Sequence, residues 1–280
     1  MNQNLTAGGW LFTDMCLHIG ALVLVKSLGS DYPTIQIVFF RAATGLLVLL
    51  PWILVAAGSF ATIHQWRLQL ARVVFSTLAI SCGYYAVARM PLALFTALNY
   101  LRPAVLMIMA VLVLNEVISK RRWFAVVLGF VGVLIAVQPG GYAFNGATAV
   151  LLISVVAGST ATIILRRLKG TPEIVMMVFY TVGLLIFTAP FALTQWEPVA
   201  RQDIIAVIAI GVLSQCAQLC FLRAHWSGEV GFLGPLSYSS LILSAGFGYI
   251  IFNEIPGLAL VIGAGFILLS AVLVNRREHH

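Results

Sequence analysis

The sequence predicts an all-α membrane protein with ten transmembrane helices, arranged as two inverted five-helix repeats. Three observations support this fold class: the composition, the long apolar runs and an internal repeat. Of the 280 residues, 61% are hydrophobic and 9% are charged, whereas about 25% of the residues in a soluble domain are charged. No polar stretch is long enough to fold separately, so we expect the whole chain to form one membrane domain.

The apolar runs divide the chain into ten segments, separated by short loops with glycine, proline and charged residues. A helix of about 20 residues crosses the ~30 Å hydrocarbon core of a bilayer. The first run lacks a preceding basic region and a cleavage site, so we interpret it as a retained helix. The predicted spans are residues 8–28, 34–56, 67–88, 91–114, 122–138, 145–165, 172–194, 203–224, 229–251 and 256–274.

A weak internal repeat relates the two halves of the chain, and its prolines and paired Asn-Glu are the strongest matches. Five helices per repeat is an odd number, so the halves must lie in opposite orientations, as in many secondary transporters. We expect the repeats to be residues 1–140 and 141–280. Pro33, Phe40 and Pro51 match Pro172, Phe179 and Pro190 at an offset of 139, and Tyr100, Asn115 and Glu116 match Tyr238, Asn253 and Glu254 at an offset of 138.

The distribution of Lys and Arg predicts the orientation. With the N-terminus inside, the outer loops contain only Lys26, Arg89 and Arg201, and the other loop cations lie inside. Both termini are therefore expected to be cytoplasmic. The net charge of +7 reflects this bias and attraction to anionic lipid headgroups. Nucleic-acid binding is not expected, because the basic residues are scattered without interleaved aromatic residues.

Several motifs occur in a fixed order along the chain. They are Lys26 at the end of the first span, Phe40-Arg41 in the second, the segment from Pro103 to Glu116, Gly129 with Gly132, and Gln138-Pro139-Gly140. Together with the ten-span repeat, they resemble the EamA branch of the drug/metabolite transporter superfamily over essentially the full chain. The resemblance implies a proton-coupled or exchange carrier for small organic solutes, commonly an exporter, in a bacterial inner membrane. Tyr180 replaces Arg41 in the second half, so the halves need not contribute equally to a site.

The fourth predicted span carries Asn99, Tyr100 and Arg102 near its middle. An arginine at the centre of a membrane helix costs ~2.5 to 3.5 kcal/mol on insertion scales, so a compensating role is expected. The neighbouring Pro103 lacks a backbone donor and favours a kink. The sequence therefore predicts that this span is one wall of a binding site, with Arg102 as a substrate or gating residue.

Three further ionisable side chains lie within predicted spans. Asp14 and His18 are four residues apart, so they share a helix face, either as a local ion pair or as a proton relay. Both are candidates for substrate binding and proton coupling, since intramembrane ionisable residues are commonly functional. Arg41 lies at a depth similar to that of Arg102 and either binds substrate or pairs with a carbonyl group or Asp14.

Uncharged polar residues complete the candidate site. They either line the cavity or form hydrogen bonds between helices, which are worth only ~0.6 kcal/mol on average. The cavity walls are expected from spans 1, 2, 4, 6, 8 and 9. The uncharged candidates are Asn99, Tyr100, Gln215, Gln218, Tyr238 and Ser240.

Other polar residues and glycines receive structural interpretations. Tyr84 and Tyr85 are expected in an interfacial aromatic belt, and Glu254 is expected to cap the next helix. Two glycine pairs are expected to let neighbouring helices approach closely, and such contacts occur more often within a helix bundle than between subunits. These pairs are Gly129 with Gly132 and Gly246 with Gly248.

The expected function is secondary active transport of a small organic metabolite by alternating access. Asp14 opposite Arg102 and Arg41, with Tyr100, Tyr238 and Trp10 around them, favours an amino acid or a related zwitterion. An exporter of drugs or organic cations is the alternative, and a polytopic membrane enzyme or a channel belongs to a different class. The expected partners are the solute and the lipid bilayer, with the protein as a monomer or homodimer.

Several features are not expected. The cysteines lie within spans and have no histidine at metal-ligand spacing, so we predict no disulfide, metal or cofactor. No glycine-rich loop ends in Gly-Lys-Ser/Thr, so ATP drive within the chain is not expected.

Overall fold

The computed structural model describes residues 2–29, 31–55, 65–102, 104–106, 108–109, 120–137, 145–168, 171–227 and 239–275. All regular secondary structure in these residues is helical, and it includes ten helices of eight or more residues. The helices are α1 (Asn2–Leu28), α2 (Thr34–Val55), α3 (Trp66–Val87), α4 (Leu92–Asn99), α5 (Lys120–Val137), α6 (Gly146–Arg167), α7 (Glu173–Thr194), α8 (Ile204–Ser227), α9 (Ser239–Phe252) and α10 (Leu258–Asn275).

Each of these helices overlaps one predicted span. Within the described residues, α1, α2, α3, α6, α7 and α8 are long and apolar enough to cross a membrane, whereas the apolar segments of the other four are shorter. The predicted spans of α4 and α9 extend into residues outside the described ranges. Six crossing helices are therefore supported, and ten crossings remain a prediction.

Large apolar side chains cover the outside of the bundle. Leu54 is 77% exposed, Val55 88% and Ile205 79%. Contiguous apolar surface of this kind marks contact with another apolar phase. Together with the long apolar helices, it identifies the chain as a multi-pass membrane protein.

The most extensive helix contacts join the first five helices to the last five. These pairs are α5 with α10, α1 with α8, α3 with α6, and α2 with α7. Small residues permit the α5–α10 contact, because a Cβ atom on Gly132 would lie 2.8 Å from the carbonyl oxygen of Gly263. The close approach predicted at Gly129 and Gly132 is confirmed, whereas a Cβ atom on Gly246 would meet no atom within 4 Å.

Helix α4 is interrupted beside the predicted site. The backbone N–H groups of Tyr100 and Leu101 donate to carbonyl groups three residues earlier, each at 3.1 Å. The four-residue pattern resumes where Val105 N donates to Leu101 O at 3.0 Å. In any helix a proline has no N–H to donate to the carbonyl group four residues earlier, which for Pro103 would be that of Asn99. The interruption expected from Pro103 thus lies at Tyr100 and Leu101.

A polar junction ties α9 to α1 and α4 at the end of the bundle where α1 ends. Asn253 has a φ of 53°, and its N–H donates to Tyr249 O at 3.1 Å, which is the αL type of helix end. The Glu254 carboxylate lies 2.6 Å from Lys26 Nζ and accepts a 2.8 Å hydrogen bond from Leu92 N. The prediction that Glu254 caps the next helix was therefore wrong: it caps α4, far away in sequence. We call these residues the Glu254 junction.

The same end holds α2 against the segment between α7 and α8. The Tyr32 hydroxyl donates to Asp203 Oδ2 at 2.7 Å and accepts from Ala200 N at 3.0 Å. The Gln36 side chain bonds both backbone groups of Glu197, at 2.7 and 3.0 Å. The two halves of the chain are thus joined by directional bonds at this end.

Candidate functional site

A cavity of about 560 Å³ lies between the helices. Its volume falls in the range of pockets that hold small organic ligands. Side chains from α1, α2, α3, α4, α6, α7, α8 and α9 line it, so α3 and α7 are walls that the sequence analysis did not expect. The predicted site residues that line it are Asp14, His18, Arg41, Asn99, Tyr100, Arg102, Gln218 and Ser240.

Three predicted residues do not contribute to the described lining. Gln215 faces α2 instead, since its Oε1 would lie 3.0 Å from a Cβ atom on Gly45. Trp10 packs under Arg223, with the guanidinium carbon 4.9 Å from the indole centroid. Tyr238 lies outside the described residues. Ser214 takes the position expected for Gln215, because residues 214 and 218 share a helix face.

Arg102 projects into the cavity next to the interruption of α4. A Cβ atom on Gly158 of α6 would lie 3.3 Å from both Cζ and Nη2 of Arg102. The absence of a side chain at Gly158 therefore makes room for the guanidinium group. Tyr100, two residues earlier, hydrogen-bonds through its hydroxyl to the Ser240 hydroxyl and joins α4 to α9. Asn99 bonds its own helix, with Nδ2 donating to Phe95 O at 2.9 Å.

Arg41 lies against Tyr84 inside the bundle. Its guanidinium carbon is 5.6 Å from the Tyr84 ring centroid, and the Tyr84 hydroxyl is 3.4 Å from Ser214 Oγ. The aromatic-belt prediction for Tyr84 was wrong, because this side chain is only 6% exposed and lines the cavity. Consecutive residues of a helix point about 100° apart, and Tyr85 is the exposed member of the pair, under Arg89.

Arg72 and Tyr180 are cavity residues that the sequence analysis missed. The Arg72 guanidinium carbon is 6.0 Å from the Tyr180 ring centroid, and Arg72 Nη1 donates a long 3.4 Å hydrogen bond to Met176 O. Arg72 lies within the third predicted span, and an arginine inside a membrane span commonly marks a functional site, as argued for Arg102. Tyr180 was visible as the residue that replaces Arg41 in the repeat.

Charges in the cavity are not paired with one another. Neither Asp14 nor any of the three arginines in the lining forms an ion pair with another described residue. The alternatives of an Asp14–His18 or an Asp14–Arg41 pair are therefore not realised in this structure. The described lining has three guanidinium groups, one carboxylate and one histidine, so positive charge is in excess.

These features define a polytopic membrane protein with a polar cavity between its helices. The sequence profile of the EamA-like transporter family matches residues 8–138 and again residues 144–276. The chain therefore belongs to the EamA-like transporter family.

Named relatives extend over nearly the whole chain. The pseudopaline exporter CntI of Pseudomonas aeruginosa is 27% identical, covering 91% of this chain and 90% of the relative. An S-adenosylmethionine uptake transporter of Rickettsia bellii is 22% identical, covering 96% and 93%. A riboflavin transporter of Vibrio cholerae is 25% identical, covering 93% and 89%. The relatives are thus named as transporters of small metabolites.

The fold is also similar to a solved crystal structure. The two proteins are 20% identical and superpose with a TM-score of 0.66, covering 96% of this chain and 95% of the other. At this identity the likeness concerns the fold alone.

Proposed function

We propose that the protein is a secondary active transporter that moves a small zwitterionic metabolite, an amino acid or a related compound, across a bacterial inner membrane. The observation that carries this proposal is a cavity lined by the Asp14 carboxylate on α1, the Arg41 guanidinium group on α2 and the Arg102 guanidinium group, three residues after α4 ends. Asp14 attracts an amino group, and the planar fork of an arginine suits a carboxylate. The small-metabolite transporters among the relatives support the same class of substrate.

Many secondary transporters alternate access by moving two structurally similar halves against each other. We propose that residues 1–140 and 141–280 are such halves, related as inverted repeats. If each helix of one half is replaced by its counterpart in the other, α1 becomes α6 and α8 becomes α3. The α1–α8 contact then becomes the α6–α3 contact. The same exchange leaves the α2–α7 and α5–α10 contacts unchanged. A two-fold axis between the halves would produce this pairing, so the contacts support inverted repeats, an arrangement in which the substrate binds at the repeat interface.

We place both termini in the cytoplasm, so the Glu254 junction and the Tyr32 and Gln36 bonds lie at the outer end. On α1 the cavity lining runs from Asp14 to Leu22 and stops short of Lys26. The structure then corresponds to a state closed towards the outside. Probes attached at Lys120 or Arg276 should react only from the cytoplasm, and a probe at Arg201 only from outside. The reverse accessibility would contradict this orientation.

A drug or organic-cation exporter is less compatible with the cavity. Three guanidinium groups repel a purely cationic solute at close range, and Asp14 alone provides an opposite charge. The family and its named relatives also disfavour the membrane-enzyme alternative.

Solute counterflow tests the proposed function. Purified protein in liposomes preloaded with one member of a panel of amino acids and N-substituted amino acids should accelerate entry of the same labelled compound. A channel would give no such acceleration, and an enzyme would convert the compound. Failure of every member of the panel to show counterflow would contradict the proposal.

A further inference from the structure

Three arginines from successive parts of the first half of the chain line the same cavity. Arg41 of α2, Arg72 of α3 and Arg102, which follows α4, all line it together with Tyr180 of α7, and the Arg72 guanidinium carbon lies 6.0 Å from the Tyr180 ring centroid. The Tyr84 ring also lies against Arg41, with its centroid 5.6 Å from the guanidinium carbon. The described lining therefore holds three guanidinium groups and one carboxylate, which is more positive charge than a single ion pair would need.

A substrate with one amino group and one carboxylate would not balance this arrangement. The amino group would take Asp14, and the carboxylate would take one arginine. Two guanidinium groups would then remain without an opposite charge in a site between apolar helices. Unpaired charge in such surroundings is costly, so a second anionic group on the substrate would relieve it.

Arg41 and Arg72 also keep hydrogen-bonding capacity for a ligand. A guanidinium group has five N–H donors, and the Nε atom of Arg41 is buried without a hydrogen-bond partner in the described part of the structure. Within the described ranges, Arg72 donates one long bond, to Met176 O at 3.4 Å. A carboxylate or phosphate between them would accept bonds that these groups do not make within the protein.

We propose that the substrate carries a second anionic group and that Arg41, Arg72 and Tyr180 form the subsite that binds it. The inference rests on the proposed transport of an amino metabolite and narrows it to compounds with at least two acidic groups. The cavity volume of about 560 Å³ is compatible, since pockets of ~300 to 1,000 Å³ hold ligands larger than a simple amino acid. The shared chemistry is an anionic oxygen group, either carboxylate or phosphate.

Paired ligands that differ by one acidic group test this subsite. We would measure binding to the purified protein by calorimetry for glutamate and glutamine, aspartate and asparagine, and phosphoserine and serine. In at least one pair the acidic member should bind about 10- to 100-fold more tightly, the range of a hydrogen bond to a charged group. A preference only in the phosphoserine pair would assign the subsite to phosphate.

Substitution of Arg72 then locates the preference. For the ligand pair that shows the preference, Arg72→Met should bring the ratio of the two affinities, acidic to neutral, close to one. It should do so without weakening binding of the neutral ligand, and Arg72→Lys should keep part of the preference. Arg89→Met removes an arginine that lies over Tyr85 outside the cavity, so it should leave the ratio unchanged. If Arg72→Met does not fold, Tyr180→Phe should lower the same ratio.

Two outcomes would overturn the second subsite. One is that no acidic member of any pair binds more tightly than its neutral partner. The other is that Arg72→Met weakens both members of a pair by the same factor. Neither outcome affects counterflow of a neutral amino acid, whereas loss of all counterflow would contradict the transport function itself.

Discussion

The two halves of the chain contribute different chemistry to one cavity. Every charged side chain and the one histidine in the described lining come from the first half: Asp14, His18, Arg41, Arg72 and Arg102. The second half contributes uncharged groups, including Ser154, Thr162, Tyr180, Ser214, Gln218 and Ser240. Both halves therefore contribute helices to the cavity, while the charged groups of the described lining come from the first half alone.

Matched positions make this difference concrete. Arg41 corresponds to Tyr180 at an offset of 139, and Arg102 corresponds to Ser240 at an offset of 138. Both pairs line the same cavity. The second half also makes room for a first-half charge, since Gly158 leaves the space that the Arg102 guanidinium group occupies. A site built this way can hold a substrate with separate charged poles without repeating each charge.

Loss of the single carboxylate in the lining should have the largest effect. Asp14→Asn should abolish solute accumulation driven by a pH gradient but leave solute exchange measurable, because exchange needs no net proton movement. Ser214→Ala, a second-half change in the same cavity, should retain accumulation. The measurement is gradient-driven uptake beside counterflow in the same liposomes. Full accumulation by both Asp14→Asn and His18→Ala would mean that the coupling proton binds elsewhere.

Removing the charge at one matched position should matter far more than removing the hydroxyl at the other. Arg102→Ala should weaken substrate binding by at least the ~1.5 to 3 kcal/mol of a hydrogen bond to a charged group. Ser240→Ala removes a hydrogen bond between helices, which is worth only ~0.6 kcal/mol on average, so it should weaken substrate binding by no more than that. Calorimetric titration of the two variants makes the comparison. Equal losses would contradict the unequal roles of the halves.

The Glu254 junction joins the halves outside the cavity, so its loss should affect stability. Breaking a buried ion pair costs ~3 to 5 kcal/mol. Lys26 and Glu254 are 12% and 19% exposed, so we expect about 2 to 3 kcal/mol for Glu254→Gln. Thermal unfolding in detergent measures this loss. Glu197→Gln, an exposed acid at the same end, should leave the unfolding temperature unchanged, and an equal loss in both variants would contradict the junction.

The smallest effect is expected at Gly158. A methyl group there would lie 3.3 Å from the Arg102 guanidinium group, and the flexible end of that side chain can shift. Gly158→Ala should therefore weaken binding by less than about fivefold, at the low end of overpacking costs. Gly246→Ala meets no atom within 4 Å and serves as the control. A stronger loss in the control than in Gly158→Ala would show that Gly158 does not accommodate Arg102.

The sequence predicted the helices and part of the cavity because both leave local signals. Long apolar runs locate membrane helices, and a charge inside such a run is costly enough to mark a site, as for Arg102 and Arg41. The rotation of each helix depends on its neighbours, so the sequence could not separate Gln215 from Ser214 or Tyr84 from Tyr85. The partner of Glu254 was also hidden, because Leu92 lies 162 residues away. Whether the repeats are inverted remains a prediction.

The central claim is that Arg102 binds the anionic pole of a zwitterionic substrate, and a double-mutant cycle with the ligand as second partner tests it most directly. Binding of the transported acid and of its carboxyl ester would be measured for the wild type and for Arg102→Ala. We expect the acid to lose at least about tenfold in affinity in the variant, while the ester, which has no carboxylate to lose, binds both proteins almost equally. If acid and ester lose the same affinity, Arg102 does not contact the carboxylate and acts in structure or gating.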